Sequence, residues 1–160
     1  MRRVLLVLAG AAAAAAAADA PEYGSDAYAA CAACHLPAGE GVPGAFPPLR
    51  NRAAKIAAIA GGREYLISVV SSGLMGAMEA DGMTYMGVMP GHQGSMTSEQ
   101  IAAALNYVVF ALSDEDAAAI TPFSAEEVAA QQVAVKSPSP ATAAGIRSKL
   151  VEQHANEWPR

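Results

Sequence analysis

The chain has 160 residues, 53% of them hydrophobic but only 6% aromatic, and a net charge of −5. That length accommodates one domain comfortably, and the acidic balance lacks the Lys/Arg clusters that nucleic-acid phosphates require. Because alanine supplies much of the apolar content and buries little area, the core is expected to lean on something bulkier than its own side chains.

Met1-Arg2-Arg3 is a short basic stretch followed by an apolar run from Val4 to Ala18 and small residues beyond it. This pattern predicts a signal peptide over residues 1–18, cut after Ala18, since a cut after Ala20 would leave Pro21 at the new terminus. The run is too short to span a bilayer, which takes about 20 apolar residues. No stable membrane span is expected after cleavage, and the location expected is periplasmic. Removing Arg2 and Arg3 from the ten basic residues leaves eight against fifteen acidic, so the mature chain favours basic docking partners.

Ser25 can cap a short helix over Asp26 to Cys34. At its end stands Cys31-Ala32-Ala33-Cys34-His35, which holds both cysteines of the chain. An exported pair of cysteines three apart first suggests a disulfide, but the adjacent histidine makes the pentapeptide a haem-attachment signature. Residues three apart share a helix face, so both sulfurs can reach one porphyrin, with His35 as proximal iron ligand. A zinc site would need a second ligand pair, and His92 and His154 stand alone. A thioredoxin-like site would need alternating strands and helices around the motif.

From Leu36 to Asn51, Pro37, Gly39, Gly41, Pro43, Gly44, Pro47 and Pro48 exclude regular structure and describe a wrapped loop. Helices are predicted over Arg52 to Ala60 and Arg63 to Ser71, separated by Gly61-Gly62. Gly73 to Met96, rich in glycine and methionine, shows no usable periodicity and reads as a second long loop. Thr97-Ser98-Glu99-Gln100 is a capping box, and Ile101, Leu105, Val108, Val109 and Leu112 continue it as one apolar stripe. Ser124-Ala125-Glu126-Glu127 opens a further helix to about Val135, Ser137-Pro138-Ser139-Pro140 breaks the chain, and a last helix runs from Thr142 to Glu157 with Trp158 beyond it. This tail either packs back on the core or docks a partner.

Three segments taken together resemble the class I (mono-haem, soluble) cytochrome c family: Gly39 to Leu49 after the haem motif, Tyr85-Met86-Gly87-Val88-Met89-Pro90-Gly91, and the helix from Thr97 to Leu112. The resemblance covers about Tyr23 to Asp114. It implies an all-α cytochrome c fold, three to five helices around one covalently bound haem c, with the domain over 19–120 and a helical C-terminal extension over 121–160. It implies thioether bonds at Cys31 and Cys34, iron ligation by His35 and Met89, and a Pro47 carbonyl accepting from the His35 ring. Leu49, Tyr65 and Tyr85 would line the haem pocket. Leu36 departs from the glycine that the family often carries after the histidine.

Met75, Met78, Met83, Met86 and Met96 compete with Met89 for the iron. Met89 is favoured because Pro90 holds the residue before it extended and because Met-Pro matches the family. Met83, Met86 and Met89 at three-residue spacing also form a candidate Cu(I) thioether set. Arg50, Arg52 and Arg63 are candidates to meet haem propionates, Arg52 foremost. The function expected is outer-sphere transfer of single electrons between redox protein partners, by a monomer or a subunit of a complex. The alternatives are a dedicated subunit of a periplasmic dehydrogenase, oxidase or reductase, and a ligand sensor or peroxidase with a labile methionine; a catalytic role is not expected.

Overall fold

A computed structural model describes residues 24–114, 117 and 119–159. The segment read as a signal peptide lies outside them. Among the described residues no helix is long and apolar enough to cross a membrane.

Among the described residues there are six α-helices and one two-stranded sheet: α1 (Ser25–His35), α2 (Ala53–Ala58), α3 (Gly62–Ser72), β1 (Gly73–Ala80), β2 (Met83–Pro90), α4 (Ser98–Asn106), α5 (Ala125–Ala134) and α6 (Pro140–Gln153). Helix α4 runs on as a π-helical turn over Tyr107–Ala111. Ser25 is the first residue of α1 rather than its cap: Gly24 takes the N-cap position with no side-chain bond.

The helical fold expected is present with a small sheet added to it, and that sheet replaces the loop predicted over Gly73 to Met96. Strands β1 and β2 pair antiparallel from Gly73↔Pro90 to Ala80↔Met83. Asp81 and Gly82 close the hairpin in two residues, both at positive φ, 51° and 73°. Those are the dihedral signs a tight right-twisted hairpin demands, and Asp-Gly is a preferred pair for them. Gly73, at φ 83°, switches the chain from α3 into β1. A side chain there would collide with the Met89 carbonyl across the ladder.

Two apolar clusters hold the helices together. The larger joins Tyr28 and Cys31 of α1, Ile67 of α3, Ile101, Leu105 and Val109 on the α4 stripe, and Phe123 and Val128 from the tail. Tyr28 stacks on Tyr107 with ring centroids 4.9 Å apart, which locks α1 across α4. The smaller joins Ile56, Tyr65, Leu150 and Trp158, so α6 packs back on α2 and α3. Of the two readings of the tail, the structure shows the packed one.

The capping box at Thr97 forms as read. The Gln100 backbone N–H donates to Thr97 Oγ1 at 3.3 Å, and the Thr97 N–H donates to Gln100 Oε1 at 2.9 Å. Thr97→Ala is expected to cost about 1 kcal/mol, measured as a lowered urea midpoint with an unchanged slope. At the head of α5, Ser124 Oγ accepts from the Glu127 N–H at 3.1 Å. The Glu127 carboxylate turns instead to Arg63, which donates to both its oxygens at 2.7 and 2.6 Å. Arg63 also donates to the Thr121 carbonyl at 2.6 Å and lies 3.9 Å over the Phe123 ring. One guanidinium therefore pins the start of the tail to α3.

Candidate haem site

The site begins where α1 ends. Leu36 terminates the helix at φ 64°, ψ 160°, a backbone region that belongs almost entirely to glycine and costs a side-chain-bearing residue about 1–3 kcal/mol. Its N–H is tied to the Ala32 carbonyl at 3.0 Å, and its own carbonyl accepts from Tyr28 Oη at 2.8 Å. The departure from glycine therefore leaves the turn intact at the expense of strain. Leu36→Gly is expected to cost no stability despite deleting a half-buried side chain, whereas Leu36→Val costs about 1–2 kcal/mol because β-branching tightens the clash; chemical denaturation of the pair checks this.

The turn reverses the chain so that the loop after it passes beneath His35. The His35 ring nitrogen Nδ1 lies 2.8 Å from the Pro47 carbonyl. A carbonyl only accepts, so Nδ1 carries the proton and Nε2 keeps its lone pair. His35 is 6% exposed; burial pushes its pKa down, and the Pro47 bond opposes that more weakly. The imidazole is thus neutral and aimed, the state required of a metal ligand.

His35 and Cys34 line a cavity of about 420 Å³ together with Phe46, Pro47, Leu74, Met78, Tyr85 and Met89. Its size falls within the range of small-molecule and cofactor sites. Cys31 lies one turn back on the same helix, buried, and burial followed by the neighbouring Cys34 raises its thiol pKa. Both thiols are free rather than joined.

The hairpin supplies the facing wall and separates the methionines. Directly opposed residues of an antiparallel pair point to the same face, and neighbours along a strand point to opposite ones. Leu74↔Met89 and Met78↔Tyr85 therefore share one face, and their burial identifies it as the inner one: Tyr85 is buried, and the other three are half-buried. Met75↔Val88 and Ala77↔Met86 share the other face, where Met86 is 75% exposed. Met83 sits at the hairpin tip, and Met96 packs against the larger core. Between the two inner pairs lies Gly76↔Gly87, where an added Cβ would meet nothing within 4 Å. No side chain fills the wall there, which leaves room for a close-approaching ligand.

Alternation also removes the copper reading, because Met86 faces away from Met83 and Met89. Zinc has no support either: among the described residues no three His, Cys, Asp or Glu side chains gather at one point.

Other residues nominated from sequence lie elsewhere. Leu49 packs against the larger core, and Tyr65 lies in the smaller one, its ring 5.8 Å from that of Trp158; neither lines the cavity. Arg52 is buried, donating to Asp81 Oδ1 and to the Pro159 carbonyl, both at 2.8 Å. Arg50 is bidentate on the exposed Asp114, and Arg63 holds Glu127. Each of the three arginines is thus committed to groups of the chain itself. His92 is half-buried after β2, its N–H bonded to the Val70 carbonyl, and does not line the cavity. The hairpin was the feature missed from sequence; Asp81-Gly82 between two apolar runs of equal length was the signal.

A Cys-x-x-Cys-His helix end, a histidine oriented by a proline carbonyl and a facing wall open at Gly76 and Gly87 fit a covalently held haem. Residues 21–123 match the cytochrome c family, and the chain belongs to it: a class I c-type cytochrome binding one haem c through Cys31 and Cys34. Among curated proteins it is 44% identical to cytochrome c-552 of Thermus thermophilus over 128 residues, 79% of this chain and 95% of that one. A second cytochrome c-552, from a particular strain of the same organism, is likewise 44% identical over 128 residues, and the match covers 84% of its length.

Proposed function

We propose that this cytochrome shuttles single electrons in the periplasm between redox proteins, and that His35 and Met89 would hold its iron. Membership of the family supports a mono-haem electron carrier. When bound, haem c supplies a one-electron ferric/ferrous couple.

The observation that carries the reading is that, of the methionines bordering the cavity that His35 also lines (Met75, Met78, Met86 and Met89), Met89 is half-buried on the inner face of β2 whereas Met86 is 75% exposed on the outer one. Each residue does a separate job. Cys31 and Cys34 fix the cofactor in place, so it is not lost between encounters. Pro47 holds the imidazole plane, and Met89 offers a soft thioether, the better partner for the ferrous ion. Leu74, Met78 and Tyr85 exclude water, which disfavours the extra ferric charge. Both effects raise the potential. His35 at the end of α1 and Met89 in β2, the residues that would hold the iron, both stand on regular secondary structure. The acidic mature chain favours partners with basic docking surfaces, and the basic-then-apolar N-terminus supports export.

The test is a spectroelectrochemical titration of protein matured with its haem. One reversible one-electron wave at a relatively positive potential is expected, with oxidised and reduced forms retaining low-spin spectra. A strongly negative midpoint, or mass spectrometry finding no haem on the two cysteines, would overturn the proposal.

A further inference from the structure

Leu36 holds a backbone conformation that few residues other than glycine adopt, φ 64° and ψ 160°. A residue strained in this way persists only where its surroundings over-determine it. Three bonds do so here. The Leu36 N–H donates to the Ala32 carbonyl at 3.0 Å, and the Leu36 carbonyl accepts from the Gly39 N–H at 3.1 Å and from Tyr28 Oη at 2.8 Å. The first two belong to the turn itself. The third reaches it from eight residues back along the chain.

Tyr28 is the member of this set least able to yield. It is 2% exposed, and its ring is stacked on Tyr107, so the phenol has no room to swing. Burial pushes its pKa up to about 12, which keeps the hydroxyl a donor at every ordinary pH.

From Leu36 the loop returns to the histidine through a circuit of bonds. The His35 carbonyl accepts from the Gly41 N–H at 3.0 Å, and Val42 and Phe46 bridge, the N–H of each donating to the carbonyl of the other at 2.8 Å. The next residue is Pro47, whose carbonyl accepts from His35 Nδ1 at 2.8 Å. Gly41 sits so close to Pro47 that an added side chain would collide with it and with the Phe46 carbonyl. A shift at Leu36 is therefore passed around the circuit to the acceptor that aims the imidazole.

We infer that Tyr28 is a positioning residue for His35: its hydroxyl holds Leu36 in the strained turn, and the turn holds Pro47 against the imidazole. This rests on haem attachment at Cys31 and Cys34 and on His35 as an iron ligand. Without the hydroxyl, Leu36 relaxes toward negative φ, its carbonyl swings, and the loop carrying Pro47 moves with it. The imidazole then loses part of the bond that fixes its plane. Leu36→Gly removes the strain, and with it the need for the hydroxyl.

The test is a double-mutant cycle read at the imidazole, in full-length protein with haem attachment verified by mass. Tyr28→Phe keeps the ring and its stack and deletes only the hydroxyl. It is expected to speed solvent exchange of the His35 Nδ1–H, followed by proton NMR of the reduced protein, by about ten-fold, the factor set by one ordinary hydrogen bond. It should also alter the pattern of haem methyl shifts in the oxidised protein, which reports the imidazole plane. Leu36→Gly alone leaves both readings at their parent values, and the double variant returns them there. Thr97→Ala lowers stability at the α4 cap without touching the turn, so it is the control for a merely structural loss and should move neither reading. A Tyr28→Phe protein that superimposes on the parent, a double variant that keeps the Tyr28→Phe shift, or an equal shift in Thr97→Ala would each overturn the inference. Should Tyr28→Phe fail to accumulate with haem, recovery on adding Leu36→Gly supports the inference and no recovery overturns it. A parent protein without haem on its cysteines overturns the functional reading, and this inference with it.

Discussion

Replacing Met89 with alanine is expected to abolish the weak far-red charge-transfer band of the oxidised holoprotein, whereas Met86→Ala leaves it unchanged. The contrast follows from strand geometry: the two methionines are three apart on β2 and so project from opposite faces, Met89 inward beside Tyr85 and Met86 outward at 75% exposure. Loss of the thioether also removes a preference for the ferrous ion. The midpoint should fall by on the order of 0.1 V or more, within the roughly 0.8 V that axial ligands command. Absorption and redox titration of the two variants side by side provide the check. The reverse pattern, with Met86→Ala losing the band, would mean the register is off by one, since a single-residue slip exchanges the faces.

Arg63→Gln should lower the unfolding free energy by about 2–3 kcal/mol. That figure is below the cost of breaking a fully buried pair because both side chains keep some contact with water. The change removes a bidentate bond to Glu127, bonds to the Thr121 and Pro122 carbonyls, and the stacking on Phe123. Urea denaturation of the holoprotein measures the loss. The pH dependence provides an independent reading. Hydrogen bonding from Arg63 holds the Glu127 carboxyl below its ordinary 4.5. A carboxylate with a depressed folded pKa stabilises the protein above the unfolded value, and that stabilisation is lost as pH falls through the folded one. The parent protein should therefore show an acid limb below about pH 4.5 that Arg63→Gln flattens.

Much of this architecture was legible in the sequence wherever one local rule acted alone. The pentapeptide at Cys31 specifies attachment, and Thr97 with Gln100 specifies a helix start to the residue. The apolar stripe from Ile101 to Leu112 becomes part of the larger core, with Ile101 and Val109 fully enclosed. The hairpin was hidden because its strands contain no isoleucine and only one valine and one tyrosine, so β-propensity was silent. Its inner and outer faces both carry methionine, which masks the period of two. The arginines misled for a different reason: a guanidinium can join any carboxylate or carbonyl, and only the folded chain shows which lies within reach. Arg52 meets Asp81 across 29 residues and Pro159 across 107, separations that no local pattern encodes. Leu36 was the reverse case, an irregularity visible in sequence whose physical expression, positive φ, is what the structure adds.

Helix α6 lies against β1, and β1 is the strand that holds Met89 in register. The strand pair that carries Met89 is therefore supported by a helix of the C-terminal tail, about fifty residues further along the sequence.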